Sequence, residues 1–513
     1  MDKNFYITTP IYYPSAKPHM GHAYSSIIAD LFARFKKIEG FNVYFLTGTD
    51  EHGQKIQRSA EKKGMDPLSF CDEISKTFKD LSKILNLSNN DFIRTTESRH
   101  AKSVHHLWNI LEKKKEIYLS KYSGWYSVSD EAFYSNDEID EIDNKKIAKS
   151  SGSEVEWVEE ESYFFKLSKW QDKLLKFYSE NPNFILPTAR KNEVISFVKG
   201  GLKDLSVSRK SFSWGIKVPS NNEHVIYVWL DALTNYLSAL NYPNENDKLY
   251  KDFWPATLHL IGKDILRFHA VYWPAFLLAA DISPPKRIYG HGWILSGDEK
   301  MSKSKGNILD PIEIIDKYGL DSLRYYLAKE VSFGNDGNIS QEKLESCINS
   351  DLANNYGNYC QRVISFNEKN FNLLIPEKHS FSKEDLDLLD RFKNNFNNLT
   401  NYMDNQDLNS YMNFIVQNLF AANKYFNDEA PWNKKSDIKR LNTIIYVALE
   451  VIRKISIMLY PIIPSSSLKV LKIFGIEEKD IKFNTIKNHN ELISNSKINK
   501  IDILFKKIDS NHD

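Results

Sequence analysis

The chain has 513 residues, of which 42% are hydrophobic, so it is long enough for several domains with sizeable cores, and an intrinsically disordered protein is excluded. Its 68 lysines and arginines nearly balance its 67 aspartates and glutamates. The net charge therefore neither supports nor excludes binding to nucleic acid, and any such contact must come from a local basic patch.

The chain contains three cysteines, Cys71, Cys347 and Cys360, and no Cys-x-x-Cys spacing. This pattern excludes a thiolate metal cluster and indicates a reducing compartment. We expect the three thiols to be buried packing residues.

The N-terminal residues lack the basic start and the apolar core of a secretory signal. The apolar stretch 270–282 is too short to cross a bilayer and is interrupted by Trp273 and Pro274. We therefore expect a cytoplasmic protein without a membrane-spanning segment.

The first residues predict a strand at 5–9, a proline-rich connector at 10–18 and an amphipathic helix at 21–37. The motif His19-Met20-Gly21-His22 then lies at the N-terminus of that helix. Unpaired backbone N–H groups and the positive end of the helix dipole favour a phosphate or a purine there, and Gly21 removes a side chain that would keep such a ligand away. Structural histidines produce the same motif by chance.

A second cationic motif, Lys-Met-Ser-Lys-Ser at 300–304, is followed by Lys305 and Gly306. Three lysines among small hydroxyl residues are typical of a mobile loop that folds over a polyphosphate. The alternative is a solvated basic turn.

A second buried strand at 42–47 completes a strand–helix–strand unit with parallel pairing. Asp50 follows it, in the loop 48–53, where the carboxyl ends of parallel strands bind ligands. Asp50 can pair with a substrate ammonium or hydroxyl, or cap the helix predicted at 54–63. Further strands are predicted at 225–232 and 258–264. The segment 288–294 follows, with glycines that let the backbone approach a flat ligand.

These elements predict an α/β fold with a Rossmann-like parallel sheet. Short aromatic segments between about 112 and 222 alternate with acidic stretches and indicate an insertion into that fold. From about 349 onward, apolar residues step by three and four in the runs 389–403, 408–426 and 441–459, which predicts an antiparallel helix bundle. Residues 502–505 fit a short terminal strand or a packing segment.

Together, the His-x-Gly-His motif and the Lys-Met-Ser-Lys-Ser motif some 280 residues later resemble the two signatures of the class I aminoacyl-tRNA synthetases. The segments 8–22, 48–53, 228–232, 290–294 and 300–304 are similar in order and spacing to the methionine-specific branch, over most of the chain. The isoleucine, valine and leucine branches carry much larger insertions with an editing site.

The resemblance implies an enzyme that activates L-methionine with ATP and Mg²⁺ and transfers it to the terminal ribose of a tRNA. The implied domains are a first catalytic half (1–112), a connective insertion (113–223), a second catalytic half (224–298), a lysine-loop segment that contacts the tRNA stem (299–348) and an all-α anticodon-binding domain with a tail (349–513).

The resemblance also implies site residues. Those for ATP are His19, Gly21, His22, Gly292, Trp293, Ile294, Lys300 and Lys303, of which His19, His22, Lys300 and Lys303 would be catalytic. Those for methionine are Pro10, Ile11, Tyr13, Asp50, Trp229, Ala232, Leu233, Tyr236, Ile265 and His269. Asn358, Arg362 and Trp432 would read the anticodon. Without the resemblance, the apolar residues in these sets would be interpreted as ordinary core residues.

Two departures from the family pattern change the expectation. Many relatives hold zinc in the insertion through paired cysteines, and no cysteine lies between Cys71 and Cys347, so we expect no zinc, and an insertion held by packing of Trp125, Tyr126, Phe133 and Trp157. The chain is also too short for the dimerising domain that some relatives append, so we expect a monomer.

Three alternatives stay open. The first is another class I aminoacyl-tRNA synthetase of similar size. The second is a nucleotidylyltransferase that shares the His-x-Gly-His phosphate site, although such chains usually lack the lysine motif and the helix bundle. The third is a catalytically inactive RNA-binding module, which the intact histidines and lysines argue against.

Overall fold

The computed structural model describes residues 3–130, 132–142, 145–296, 299–300 and 310–509. At residues 122, 132, 133, 228, 296, 299 and 300 it describes the backbone alone. The chain divides into two compact units. We call Asn4–Ala29 with Val43–His291 the sheet unit, and Met1–Lys3, Asp30–Asn42 and Gly292–Asp513 the helical unit.

The described strands are β1 Asn4–Thr8, β2 Asn42–Thr49, β3 Asp91–Arg94, β4 Ile117–Ser127, β5 Ala132–Tyr134, β6 Ile139–Ile142, β7 Lys145–Ala148, β8 Glu156–Phe165, β9 Ile185–Leu186, β10 Leu205–Ser206, β11 Ser208–Arg209, β12 Lys217–Val218, β13 Asn221–Ile226, β14 Leu258–Gly262, β15 Ile288–His291, β16 Ile294–Ser296, β17 Glu299–Lys300 and β18 Gly337–Asn338.

The described α-helices are α1 Met20–Ile38, α2 Gln54–Lys62, α3 Pro67–Ile84, α4 Ser98–Lys113, α5 Gln171–Glu180, α6 Thr188–Lys199, α7 Val228–Leu233, α8 Asn235–Ser238, α9 Lys248–Phe253, α10 Trp273–Ala279, α11 Pro311–Tyr318, α12 Leu320–Glu330, α13 Gln341–Cys347, α14 Asn358–Phe371, α15 Lys383–Asn394, α16 Phe396–Asp404, α17 Leu408–Glu429, α18 Ile438–Leu459 and α19 Pro464–Ile473. Phe268–Tyr272 and Ile348–Gly357 are π-helical.

The core of the sheet unit is a six-stranded sheet in the order β3-β2-β1-β14-β15-β9. β1 and β14 pair in parallel with Thr8 opposite His259, and β14–β15, β15–β9 and β2–β3 are also parallel. The predicted Rossmann-like parallel sheet is therefore confirmed. Its edge strand β9 lies within the segment 113–223.

The insertion segment builds a second, antiparallel sheet in the order β10-β8-β4-β5. β4 and β8 form a long ribbon in which the rings of Trp125 and Trp157 meet edge to face at 5.2 Å. Tyr126 is fully buried, and the guanidinium of Arg209 lies 4.0 Å from its ring centroid. Aromatic packing thus holds this part of the sheet, as expected; the side chain of Phe133 lies outside the described set.

The prediction of a strand at 225–232 is wrong. β13 ends at Ile226 and pairs with β11 and β12 in a separate antiparallel sheet, and α7 begins at Val228. A short apolar run does not distinguish a buried strand from a buried helix, because neither shows an exposed polar face.

α1 begins one residue before the predicted helix and ends one residue after it. The predicted apolar face is buried, but so is every residue from 23 to 36, so the helix is enclosed rather than amphipathic. Its buried charges are paired within the helical unit: Asp30 accepts from Arg34 and from Arg324 at 2.7 Å each, and Lys36 pairs with Glu39.

The helical unit contains the predicted bundle. α17 and α18 match two of the three predicted runs, whereas the run 389–403 is divided at Asn395 into α15 and α16. Residues 502–505 form no strand; a Cβ at Gly357 would lie 3.8 Å from the ring of Phe505, so this segment packs against the π-helical stretch.

The three cysteines are buried and unpaired, as expected, and burial raises the pKa of each thiol. In the described ranges, no helix combines the length and the apolar character that a bilayer crossing requires.

The paired carboxylate of Asp30 gives a test of the helical unit. Asp30→Asn removes the carboxylate that the buried guanidiniums of Arg34 and Arg324 share and leaves Arg34 the more distant Glu478, at 3.8 Å, so we expect the free energy of unfolding to fall by about 3–5 kcal/mol. Urea unfolding followed by circular dichroism measures this change. Asp428→Asn, at an exposed ion pair with Lys424, is the control and should change stability by less than about 0.5 kcal/mol. Equal effects of the two variants would contradict this role for Asp30.

Candidate active site

Two imidazoles lie at the N-terminus of α1. The backbone N–H of His19 donates to Nδ1 of His22, and the backbone N–H of Gly21 donates to Nδ1 of His19, each at 3.1 Å. Because Nδ1 accepts in both rings, the proton of each ring lies on Nε2. Burial, together with the neighbouring His19, holds the pKa of His22 well below its usual value. The neutral His22 ring therefore carries an Nε2–H donor without adding positive charge.

Packing fixes the orientation of the His22 ring. Its centroid lies 3.9 Å from that of His19, and its edge meets the rings of Tyr12 at 4.9 Å and Phe78 at 5.1 Å. A Cβ at Gly21 would lie 2.9 Å from Cε1 of His19. Glycine at this position therefore leaves room for the imidazole of His19.

The connector after β1 runs beside the end of β2. Tyr12 donates its N–H to the carbonyl of Gly48 at 2.8 Å, and the N–H of Asp50 donates to the carbonyl of Tyr12 at 2.9 Å. Asp50 is 5% exposed. The capping alternative for Asp50 is wrong, because the residue at the N-cap of α2 is Gly53 and no side chain caps this helix.

Glu51, which follows Asp50 in the loop 48–53, is anchored by hydrogen bonds to its side chain. The fully buried carboxylate of Glu51 accepts from Nε and Nη2 of Arg94 at 2.7 and 2.9 Å, and from the hydroxyls of Ser75 and Thr96 at 2.5 Å each. Burial raises the pKa of Glu51, but the hydrogen bonds from Arg94 and the hydroxyls outweigh it, and the pKa is lowered. Glu51 is therefore an ionised anchor.

His52 is anchored by a second buried carboxylate. Oδ2 of Asp231 accepts from Nδ1 of His52, and Oδ1 accepts from Nε2 of His100, both at 2.7 Å. Burial raises the pKa of Asp231, but His52 and His100 outweigh it and lower the pKa to about 2. Asp231 therefore ties the loop 48–53 to α4 and α7. No motif in the sequence predicts a role for Glu51, Arg94, His52, His100 or Asp231.

A chamber of aromatic rings lies between α7, α8 and the π-helical turn. The indole of Trp229 stacks on Phe268 with ring centroids 3.7 Å apart and planes 5° apart. Nδ1 of His269 donates to the carbonyl of Ile265 at 3.0 Å, so its Nε2 accepts from the hydroxyl of Tyr236 at 2.8 Å. Burial lowers the pKa of His269 to about 4, so the ring is neutral. We call Trp229, Tyr236, Ile265, Phe268 and His269 the aromatic chamber.

The Tyr236 ring is also held by stacking. It stacks on His259 at 4.1 Å, and Nδ1 of His259 is hydrogen-bonded to the hydroxyl of Thr8 at 2.8 Å. Burial also holds the pKa of His259 well below its usual value. Thr8 and His259 face each other across β1 and β14, so the register of the sheet sets the position of the chamber.

The residues implied for methionine are partly brought together. Ile11, Trp229, Leu233, Tyr236 and Ile265 belong to, or pack against, one hydrophobic cluster, and His269 bonds to two of them. Asp50 interacts electrostatically with Tyr236. Tyr13 packs against a different cluster, and its hydroxyl donates to the carbonyl of His52 at 2.7 Å. The carbonyl of Pro10 accepts from the hydroxyl of Thr9, and Ala232 is buried.

Gly292, Trp293 and Ile294 belong to the helical unit, whereas His19, Gly21 and His22 belong to the sheet unit. The structure gives Gly292 a reason other than ligand access: a Cβ there would lie 2.1 Å from the carbonyl oxygen of Asn335. The backbone of Lys300 lies in β17, while its side chain and all of Lys303 lie outside the described residues.

The residues implied for the anticodon lie on one side of the helical unit. Asn358 is exposed, Trp432 is 43% exposed, and Arg362 donates through Nη2 to Oδ1 of Asn427 at 2.7 Å. The Arg362 guanidinium lies 5.4 Å from the centroid of the Phe426 ring, which meets Trp432 at 6.1 Å. The Phe426 ring thus contacts both the guanidinium of Arg362 and the exposed indole of Trp432.

Comparison with known proteins gives matches along nearly the whole chain. The family model described as tRNA synthetases class I (M) matches residues 5–364, and the anticodon binding domain of methionyl tRNA ligase matches 375–513. The chain is 49% identical to a methionine–tRNA ligase of Rickettsia typhi, over 99% of this chain and 100% of the relative, and 48% identical to one of Brucella suis, over 92% of each. It is similar to the structure of Mycobacterium tuberculosis methionyl-tRNA synthetase in complex with methionyl-adenylate, with a TM-score of 0.96 and 42% identity over 98% of this chain and 99% of that chain.

The Asp231 carboxylate gives a test of the loop anchor. A folded pKa near 2, below the ordinary 3.8, contributes about 2 kcal/mol of stability that is present above pH 4 and is lost as the pH falls from about 4 to 2. In Asp231→Asn, one of the two imidazole N–H groups would face an amide N–H₂. We therefore expect a loss of at least about 2 kcal/mol at pH 7.

Urea unfolding at pH 7 and at pH 3 measures the effect, and the difference between the variant and the natural protein should shrink at the lower pH. Asp281→Asn, at an exposed surface carboxylate, is the matched control and should change little at either pH. A penalty that stayed constant with pH would show that the charge of Asp231 does not act as described.

Proposed function

We propose functional roles for individual residues of this chain, which belongs to the methionyl-tRNA synthetase family of class I tRNA synthetases. The chain is a methionine–tRNA ligase. It activates L-methionine with ATP, releasing pyrophosphate, and transfers the methionyl group from methionyl-adenylate to the terminal ribose of a tRNA. The observation that carries the site assignment is the neutral aromatic chamber beside the buried carboxylate of Asp50.

The chamber suits the side chain of methionine. Aromatic rings contact a polarizable thioether at about 0.3–1.5 kcal/mol for each contact. Because His269 is neutral, the chamber presents no cation to the sulfur, and because the Tyr236 hydroxyl donates to His269, that ring is held in one orientation. We assign Ile11, Ala232, Leu233 and Ile265 to the apolar lining and Pro10 and Tyr13 to the connector beside it.

Asp50 is assigned to the α-ammonium of methionine. Its backbone is fixed by Tyr12, and the residues that follow it are fixed by the two buried anchors, Glu51 with Arg94 and His52 with Asp231. A carboxylate held in this way need not reorganise when the substrate binds, which favours binding and alignment.

The adenylation step needs no general base, because the α-carboxylate of methionine is ionised at neutral pH and is itself the nucleophile. What the step needs is alignment and stabilisation of charge at the α-phosphorus. We assign the Nε2–H groups of His19 and His22 to the α-phosphate and its bridging oxygens. Lys300 and Lys303 are assigned to the β- and γ-phosphates and Gly292, Trp293 and Ile294 to adenosine, on the motif resemblance alone.

ATP enters as its Mg²⁺ complex in this proposal, and the ion assists departure of pyrophosphate. The described residues contain no group of three or more His, Cys, Asp or Glu side chains placed to hold a metal. The proposed domain roles follow the sequence: catalytic halves at 1–112 and 224–298, the insertion at 113–223, the lysine-loop segment at 299–348 and the anticodon domain at 349–513.

We assign Asn358, Arg362 and Trp432 to the anticodon. Single-stranded bases are recognised by stacking on aromatic rings and by hydrogen bonds to their edges, which Trp432 and the two polar side chains can supply. We also propose a cytoplasmic monomer. The buried thiols of the three cysteines suit a reducing compartment.

Pyrophosphate exchange into ATP, measured with each of the twenty amino acids, tests the proposed substrate. We expect exchange with methionine and, at most, weak exchange with close isosteres, because the chamber is apolar and neutral. Charging of a methionine tRNA tests the second step. Exchange with leucine or cysteine but not with methionine would overturn the assignment of the chamber, and no exchange with any amino acid would leave only RNA binding.

Gly21→Ala tests the roles of the paired imidazoles. The added methyl group meets the His19 ring at 2.9 Å and displaces it, so we expect the exchange rate to fall on the order of 10²-fold, as for the loss of one donor to a developing charge. Gly200→Ala is the matched control, because Gly200 has an ordinary helical backbone and its Cβ would be 3.3 Å from its nearest neighbour. Unchanged exchange in a folded Gly21→Ala protein would remove the His19 position from the mechanism.

A further inference from the structure

The helical unit exposes a second aromatic ring. Phe420, on α17, is 62% exposed, compared with 43% for Trp432. Single exposed apolar side chains are common at protein surfaces and need no explanation in themselves. Phe420 differs from such scattered side chains because its face of α17 borders the residues implied for the anticodon.

Phe420, Asn423 and Asn427 are spaced by three and four residues, so they share one face of α17. Nδ2 of Asn423 donates to Oδ1 of Asn355 at 2.8 Å, and Oδ1 of Asn427 accepts from Arg362 at 2.7 Å. This face therefore borders the segment that carries Asn358 and Arg362. At 1.5 Å per residue, Phe420 lies about 10 Å along the helix axis from Asn427.

The other end of this face leads to Trp432. Arg362 lies over the Phe426 ring, and Phe426 meets the indole of Trp432. We call Phe420, Asn423, Asn427, Arg362 and Trp432 the α17 strip. It has an exposed aromatic ring at each end and amide and guanidinium groups between them.

We propose that Phe420 is a second base-stacking platform, so that the α17 strip is a track for several consecutive nucleotides of the anticodon loop. This inference depends on the proposed anticodon role of Trp432. The span of about 10 Å from Phe420 to Asn427 corresponds to about three stacked nucleotides at 3.4 Å each. Stacking on an aromatic ring tolerates any base, while the amides and the guanidinium can bond to base edges.

The chemistry of the strip favours RNA over a protein partner. Protein–protein interfaces have an apolar core, whereas three of the four helical neighbours of Phe420, which are Val416, Gln417, Asn423 and Lys424, are polar. The matched anticodon domain, residues 375–513, includes both Phe420 and Trp432.

The test compares Phe420→Ala, Phe420→Leu and Phe420→Tyr in the full-length protein. We expect Phe420→Ala and Phe420→Leu to lower kcat/KM for tRNA charging about 5- to 100-fold, as expected for one lost base stack, and Phe420→Tyr to stay within about twofold. Methionine-dependent pyrophosphate exchange should be unchanged in all three. Ile493→Ala, at a 75% exposed apolar side chain of the same unit, is the control and should leave charging unchanged.

An acceptor-stem minihelix without an anticodon loop provides the second measurement. Its charging should be the same in Phe420→Ala as in the natural protein. Loss of exchange, a lower melting temperature or an equal loss with the minihelix would mark Phe420 as structural and overturn the inference. A Leu variant that charges as well as the natural protein would exclude stacking.

Trp432→Ala and Arg362→Ala separate this inference from the proposed function. If both lower charging of the full tRNA and Phe420→Ala does not, the second platform is wrong and the anticodon assignment stands. If none of the three variants changes charging, the anticodon assignment itself is wrong.

Discussion

The buried carboxylate of Asp231 is the constraint on which the geometry of the sheet unit depends. It accepts hydrogen bonds from His52 and His100 at 2.7 Å each and is fully enclosed. A buried charge is tolerated only when it is paired and hydrogen-bonded, so this contact fixes the loop 48–53 against α4 and α7. Glu51 and Arg94 fix the same loop from its other side. Asp50 directly precedes Glu51 and His52, the two residues that these anchors hold.

The same physical effect, removal of water, sets the charge of the histidines around the site. Burial lowers the pKa of His22, His259 and His269, so each ring is neutral at physiological pH. A neutral ring has one donor and one acceptor nitrogen, and the backbone decides which is which in His22 and His269. The part of the proposed site that binds methionine and the part that binds phosphate therefore differ in shape and in which histidine nitrogen donates. They do not differ in the charge of these three histidines.

The helical unit combines buried charge pairs with exposed aromatic rings, to which we assign the recognition of bases. Asp30 with Arg34 and Arg324 is enclosed, whereas Trp432 and Phe420 face solvent beside amide groups. The fold of this unit could be predicted from helical periodicity, except at Asn395, where a run that looks continuous is broken. Periodicity records which residues are apolar; it does not record where two helices meet.

The parallel sheet, the helix that begins at the His-x-Gly-His motif, the helix bundle and the aromatic composition of the chamber could be predicted from the sequence, because each depends on residues close together in the chain or on the resemblance of whole motifs. The folded structure was needed to show that α1 is enclosed, that residues 228–233 form a helix, and that Asp231 anchors His52 from 179 positions away. Such buried polar pairs join distant segments, and their partners are set by packing of the sheet and helices, which no local pattern of residues records.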